Sequence, residues 1–195
     1  MTFKFVNQPL LSGLYEPEGI YLNSPLVGRF AISQQWGEFP DYYHQFTYNG
    51  VPLKGHIGLD FAAPVGTRVA AVAAGRVVEL GYEAHGFGRY LKLEHSWGES
   101  FYAHLDEIWV DAGQLIARGA TIALSGDRNG EINPQLHFGL RIKPFNRFDG
   151  WGGFTDPLPY LSDTAFELPE IDEADVPDQP QEQTIAPERP NVRRP

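Results

Sequence analysis

From Val27 onward, apolar and polar positions alternate over short runs rich in β-branched residues, and glycines separate the runs. A period of two places every second side chain on one face, which is the pattern of half-buried strands. It predicts strands at 29–34, 56–61, 68–73, 76–81, 89–95, 100–105, 121–125 and 136–142. No stretch carries three turns of amphipathic helix. The short gaps favour antiparallel hairpins over crossovers, so the expected fold is all-β, an antiparallel sheet or folded-over β-sandwich. Segments 64–77 and 111–122 echo one another, each setting glycines between short apolar strands.

The ends break this pattern. In residues 1–26, Pro9, Gly13, Pro17, Gly19 and Pro25 interrupt any period, and we read an irregular N-terminal arm. Residues 162–195 hold six prolines and nine acids against three arginines, a composition unable to bury enough surface to offset chain entropy. We read them as an extended or disordered tail, suited to docking on a protein partner. Residues 27–161 are the expected single domain.

Composition narrows the functions. The formal net charge is -10, which argues against a nucleic-acid partner, although most of it lies in the tail. With no cysteine, any metal must sit on His, Asp or Glu. The first residues lack the apolar run of a secretory signal, and no segment reaches the ~20 apolar residues of a membrane span. The expectation is cytoplasmic synthesis with no membrane span.

Three short elements can carry chemistry. In His56-Ile-Gly-Leu-Asp60, strand alternation puts the imidazole and the carboxylate on one face, with Gly58 between them leaving room for an ion. In Gln135-Leu-His-Phe-Gly-Leu-Arg-Ile142, the apolar alternation sends Gln135, His137 and Arg141 to the other face. In Phe101-Tyr-Ala-His-Leu105, Tyr102 and His104 are expected to share a face. Each alone reads as an ordinary polar face of a sheet. His95 is expected to be exposed at a hairpin end, and the aromatics of 36–48 could line a peptide groove.

Taken together, His-x-Gly-x-Asp-Phe-Ala-Ala-Pro-x-Gly-Thr, Tyr-Ala-His-Leu and Leu-His-Phe, in this order, resemble the lysostaphin/LytM family of zinc endopeptidases over about residues 32–161. The resemblance implies the family's folded-over, barrel-sandwich-like β fold. It also implies Zn2+ on His56, Asp60 and His137, a fourth position open for water, and peptidoglycan cross-links as substrate. His104 matches one of the family's two proton-handling histidines. The other position holds Gln135, which cannot accept a proton near neutral pH. Tyr102, Arg141 and the loop residue His85 are the candidate substrate contacts.

Two other readings stay open. The first is a catalytically impaired cell-wall-binding or virion module that keeps the fold and the metal. A phage origin would reconcile cytoplasmic synthesis with a cell-wall target. The second is a lipoyl-type carrier, which is disfavoured because Lys54, Lys92 and Lys143 do not fall in the required hairpin turn.

Overall fold

A computed structural model describes residues 19–162; residues 1–18 of the expected arm and residues 163–195 of the expected tail lie outside it. The elements are β1 (Ile32–Gln34), α1 (Pro40–Tyr43), β2 (Thr47–Tyr48), β3 (Val51–Pro52), β4 (Leu59–Phe61), β5 (Arg68–Ala70), β6 (Gly75–Glu83), β7 (Gly88–Glu94), β8 (Gly98–Ile108), β9 (Leu115–Ile116), β10 (Thr121–Ser125) and β11 (Leu136–Ile142), followed by a 3-10 turn at Leu158–Tyr160. Every expected strand is present, several of them shorter, while β8 extends three residues beyond its expected end. Besides the 3-10 turn, four pieces were not expected: α1, β2, β3 and β9. Each is two to four residues long, too short for a periodic pattern to show.

All strand pairs are antiparallel, in the order β1-β4-β11-β8-β7-β6-β9, and β10 folds over to pair with both β5 and β8. The fold is thus all-β, as expected. The two echoing segments prove to be partners: Ala70 lies opposite Thr121 and Gly75 opposite Ile116, with Ala71 N–H donating to Ala120 O between them. Of the described residues of the arm, Leu22 and Leu26 pack inward, Leu22 bridging to Leu161 and Leu26 to Val69, both leucines buried.

The central pair β8 and β11 is covered on both faces. On one face Tyr102, Leu136, Phe138 and Leu140 enter the main core with Leu59, Phe61, Leu91 and Leu93. On the other, Phe101 and Ala103 join Leu53, Ile57 and Phe154 in a smaller core, flanked by Trp36, Tyr43, Tyr48, Phe87, Tyr90 and Trp151. Residues 35–53 and 145–154 therefore roof a face that would otherwise be open. Arg141 anchors this roof. Its guanidinium is 1% exposed, lies 3.9 Å from the centroid of the Phe154 ring, and donates to Glu99 Oε2 at 2.9 Å, to Gly152 O at 3.0 Å and to the Tyr48 hydroxyl.

Alternation along β8 breaks at one place, and the break matters. Between Tyr102 and Leu105 the strand advances three residues while β7 advances two, from Leu91 to Arg89. This is a β-bulge, and His104 within it takes the left-handed φ of 58°. Tyr102 and His104 consequently do not share a face. Tyr102 is buried in the main core, where its hydroxyl accepts from Val72 N–H at 3.0 Å, and His104 turns to the opposite side.

Candidate metal centre and its cleft

Strands β4 and β11 pair so that Asp60 faces His137 directly. His56, four residues before Asp60, comes in from the loop ahead of β4. His137 Nδ1 lies 2.7 Å from Asp60 Oδ1 and 3.0 Å from His56 Nε2, and His56 Nε2 lies 3.2 Å from Asp60 Oδ1. All three side chains are buried. His56 Nδ1 donates to the Gln35 carbonyl at 2.9 Å, which fixes the orientation of the ring and turns Nε2 toward the other two groups. Burial alone would raise the Asp60 carboxyl, yet the adjoining His137 and His56 hold it well below the usual carboxylate range. Burial pushes the His137 imidazole down, against the raising pull of Asp60. The result is a carboxylate and two imidazoles converging on one point, a donor set suited to a divalent cation.

The space at Gly58 serves the histidine and not the ion. A Cβ there would come within 2.5 Å of the Phe138 carbonyl and 2.9 Å of His137 Nε2. Gly58 lets β11 approach closely enough to bring His137 in. That corrects the expectation drawn from the motif.

Gln135 stands on the same side as His137, as alternation requires, and its Nε2 donates to Asp60 Oδ2 at 3.4 Å. His104 lies across the site, its ring centroid 6.1 Å from that of His137. Burial first, then the neighbouring His137, depresses the His104 imidazole to about 4, so it is neutral at physiological pH. Its Nδ1 and the Nε2 of His137 are the only buried side-chain polar atoms without a partner among the described residues. Such orphans cost free energy in a fold and call for an explanation.

These residues form the floor of a cleft of about 890 Å³. One wall is aromatic, with Phe39, Tyr42, Tyr43 and Phe46, and Tyr43 sits 5.4 Å from the His56 ring and accepts from Gln34 Nε2. The opposite wall carries Glu83, His85, Phe87, Arg128 and Ile132. Of the three expected substrate contacts, only His85 lines the cleft. Tyr102 is behind the sheet and Arg141 is under the roof. Arg128 was missed; its signal was an arginine in the turn-forming run Asp127-Arg-Asn-Gly130, beside the second strand of the site.

His95 is also not where hairpin logic put it. It is 4% exposed and stacks on Trp97 with ring centroids 4.4 Å apart. Its Nδ1 donates to Ala74 O at 2.8 Å, and its Nε2 accepts from Ser100 Oγ at 2.7 Å. This cluster lies behind the sheet, away from the cleft.

Comparison with known proteins agrees with this geometry. Residues 54–148 match the model of Peptidase family M23. The chain is 38% identical over 105 residues to Peptidoglycan DD-endopeptidase ShyB of Vibrio cholerae, covering 53% of this chain and 24% of that protein. It is 30% identical over 140 residues to Lysostaphin of Staphylococcus simulans, covering 69% of this chain and 27% of that one. The solved structure of the antimicrobial peptidase lysostaphin from Staphylococcus simulans superposes with a TM-score of 0.54 at 25% identity, covering 71% of this chain and 53% of that one. The chain thus spans only about a quarter of the length of these two curated relatives. No described helix is long and apolar enough to cross a membrane.

Proposed function

Because the chain carries a Peptidase family M23 domain over residues 54–148, we propose that it is a zinc-dependent endopeptidase acting on the peptide cross-links of bacterial peptidoglycan. The observation that carries this reading is the convergence of His56 Nε2, Asp60 Oδ1 and His137 Nδ1 within 3.2 Å of one another on the floor of a cleft. His56, Asp60 and His137 would hold the ion, and a set of three protein ligands is that of a catalytic zinc, which keeps a position for water. Bound there, zinc would acidify a water to a pKa of about 7 and polarise the scissile carbonyl.

The chain's own residues divide the remaining work. The Gln35 carbonyl orients the His56 imidazole. His104, neutral at physiological pH, keeps a lone pair for the proton that leaves the attacking water and returns it to the departing amine. Gln135 holds the second oxygen of Asp60 and can donate to an oxyanion, but it moves no proton. The roof and the aromatic wall hold the peptide and exclude water from the reacting centre.

The contact of Gln135 with Asp60 also favours a second reading, a module that keeps the metal and binds the cell wall without cutting it. Metal analysis of the purified chain, followed by release of peptide fragments from peptidoglycan by wild type and by Gln135→His, decides between them. Bound zinc with slow cleavage that Gln135→His accelerates fits the enzyme. Zinc with no cleavage in either protein fits the binding module. A native protein that does not take up zinc refutes both.

A further inference from the structure

Arg128 is the only lysine or arginine among the described residues lining the cleft. Its backbone takes the left-handed φ of 54°, followed by Asn129 at 60° and Gly130 at 83°. Glycine and asparagine tolerate this region, whereas for arginine it costs about 1 kcal/mol. The fold accepts that cost and so aims a cation into the cleft. Gly88 provides the space: a Cβ there would lie 3.0 Å from Arg128 Cγ and 3.9 Å from His104 Cα, so the arginine stem passes beside the His104 backbone.

The guanidinium is only partly engaged. Nη2 donates to the Ala84 carbonyl and to Glu131 Oε2, the latter at 3.0 Å, while Nε and Nη1 make no hydrogen bond among the described residues. The Glu131 side chain is 64% exposed, and an exposed pair three residues apart contributes little, so a better-placed carboxylate can displace it. Glu131 thus marks a carboxylate seat at the rim of the cleft. Arg141, the arginine of β11, is satisfied under the roof and unavailable.

We propose that Arg128 is a specificity-determining residue that binds a free carboxylate on the substrate residue next to the scissile amide, with Glu131 as its displaceable stand-in. The preferred substrate is then a cross-link bearing a carboxylate beside the cleaved bond, and a bridge of neutral residues such as glycines is a poor one. Glu83, on the same wall, repels a carboxylate placed elsewhere and narrows the seat to the side of Arg128. This inference rests on the cleft being a peptide site; it does not need the peptide to be cut.

The test is a pair of synthetic cross-link peptides, identical except that the carboxyl beside the scissile amide is free or amidated, titrated calorimetrically into the zinc-loaded full chain. Charge-assisted hydrogen bonds of this kind correspond to roughly 10–100-fold in affinity, so the free acid should bind at least about tenfold tighter. Arg128→Ala should bring the two peptides within about twofold of each other, and Arg128→Lys should keep part of the preference, since it retains the charge but not the fork. Glu131→Gln, which removes the competitor, should widen the preference. Equal binding by wild type, no binding of either peptide, or a preference that survives Arg128→Ala overturns the proposal. Should Arg128→Ala fail to fold, an unchanged ratio in both Arg128→Lys and Glu131→Gln overturns it instead. Cleavage followed in parallel separates the two claims. Acid-selective binding without cleavage defeats the peptidase reading and leaves the seat intact, whereas cleavage without acid preference does the reverse.

Discussion

Two buried histidine clusters lie on opposite faces of the same sheet, and they differ in one respect. Behind the sheet, a single chain of hydrogen bonds closes on itself: Val72 N–H to the Tyr102 hydroxyl, Tyr102 paired with Ser100, Ser100 to His95 Nε2, and His95 Nδ1 to the Ala74 carbonyl. Nothing is left over. On the cleft side, three atoms able to ligate a metal crowd within 3.2 Å of one another, and His104 Nδ1 and His137 Nε2 have no partner. Burial and residue type do not separate these clusters. Complete accounting of donors and acceptors does, because a histidine that serves structure is satisfied by the protein, and one that serves chemistry is left for something else to satisfy.

The comparison breaks most sharply on metal. His56→Ala or His137→Ala should abolish stoichiometric zinc binding measured by elemental analysis, while His95→Ala leaves the zinc content unchanged. Zinc retained in both cleft variants would place the metal elsewhere. Next in size is proton transfer. His104→Ala should lower cleavage by about 10²–10⁴-fold without loss of zinc, and full activity in that variant would remove His104 from the mechanism. Gln135→His should act in the opposite sense, raising cleavage at unchanged zinc content.

Smaller effects sharpen the other side. Ser100→Ala leaves His95 Nε2 and the Tyr102 hydroxyl short of a partner, and should cost about 1–3 kcal/mol in urea denaturation while leaving metal binding intact. The pH dependence is smaller still. Burial holds the His95 imidazole below its ordinary value of 6.5, so the unfolded chain takes up a proton at higher pH than the folded one does. Its stabilisation is complete above about pH 6.5 and fades as the pH falls, by at most ~1.4 kcal/mol per unit. The denaturation midpoint of the zinc-free protein should therefore decline less between pH 7 and 5.5 in His95→Gln than in wild type. Equal declines would show that the folded chain binds a proton at His95 as readily as the unfolded one does.

Strand periodicity made most of this molecule legible. It placed eight strands, put Gln135 and His137 on one face, and picked out the two segments that turn out to pair with each other. It failed where the period itself fails. The bulge in β8 resets alternation between Tyr102 and His104, and a pattern of polar and apolar letters carries no mark of the extra residue. Arg141 was misplaced for a different reason: its face was right, but the roof that covers it comes from residues distant in the chain. His95 stands next to a turn and yet is buried, because Trp97 folds back over it. Gly58 was noticed for the wrong purpose, since close approach of a neighbouring strand is a tertiary fact.

The roof has a consequence for redesign. Helix α1 buries none of its residues, and β2 and β3 pair only with each other, so the aromatic wall joins the domain through side chains and not through strand pairing with the main sheet, and it invites grafting from other proteins. The seam cannot be cut anywhere along it. Gln35 O holds the His56 ring, and Glu38 O accepts from His56 N–H, so the first residues of the roof set the attitude of a ligand in the floor. A transplanted wall that begins after Glu38 would exchange recognition alone, whereas one that begins before Gln35 would carry the alignment of His56 away with it.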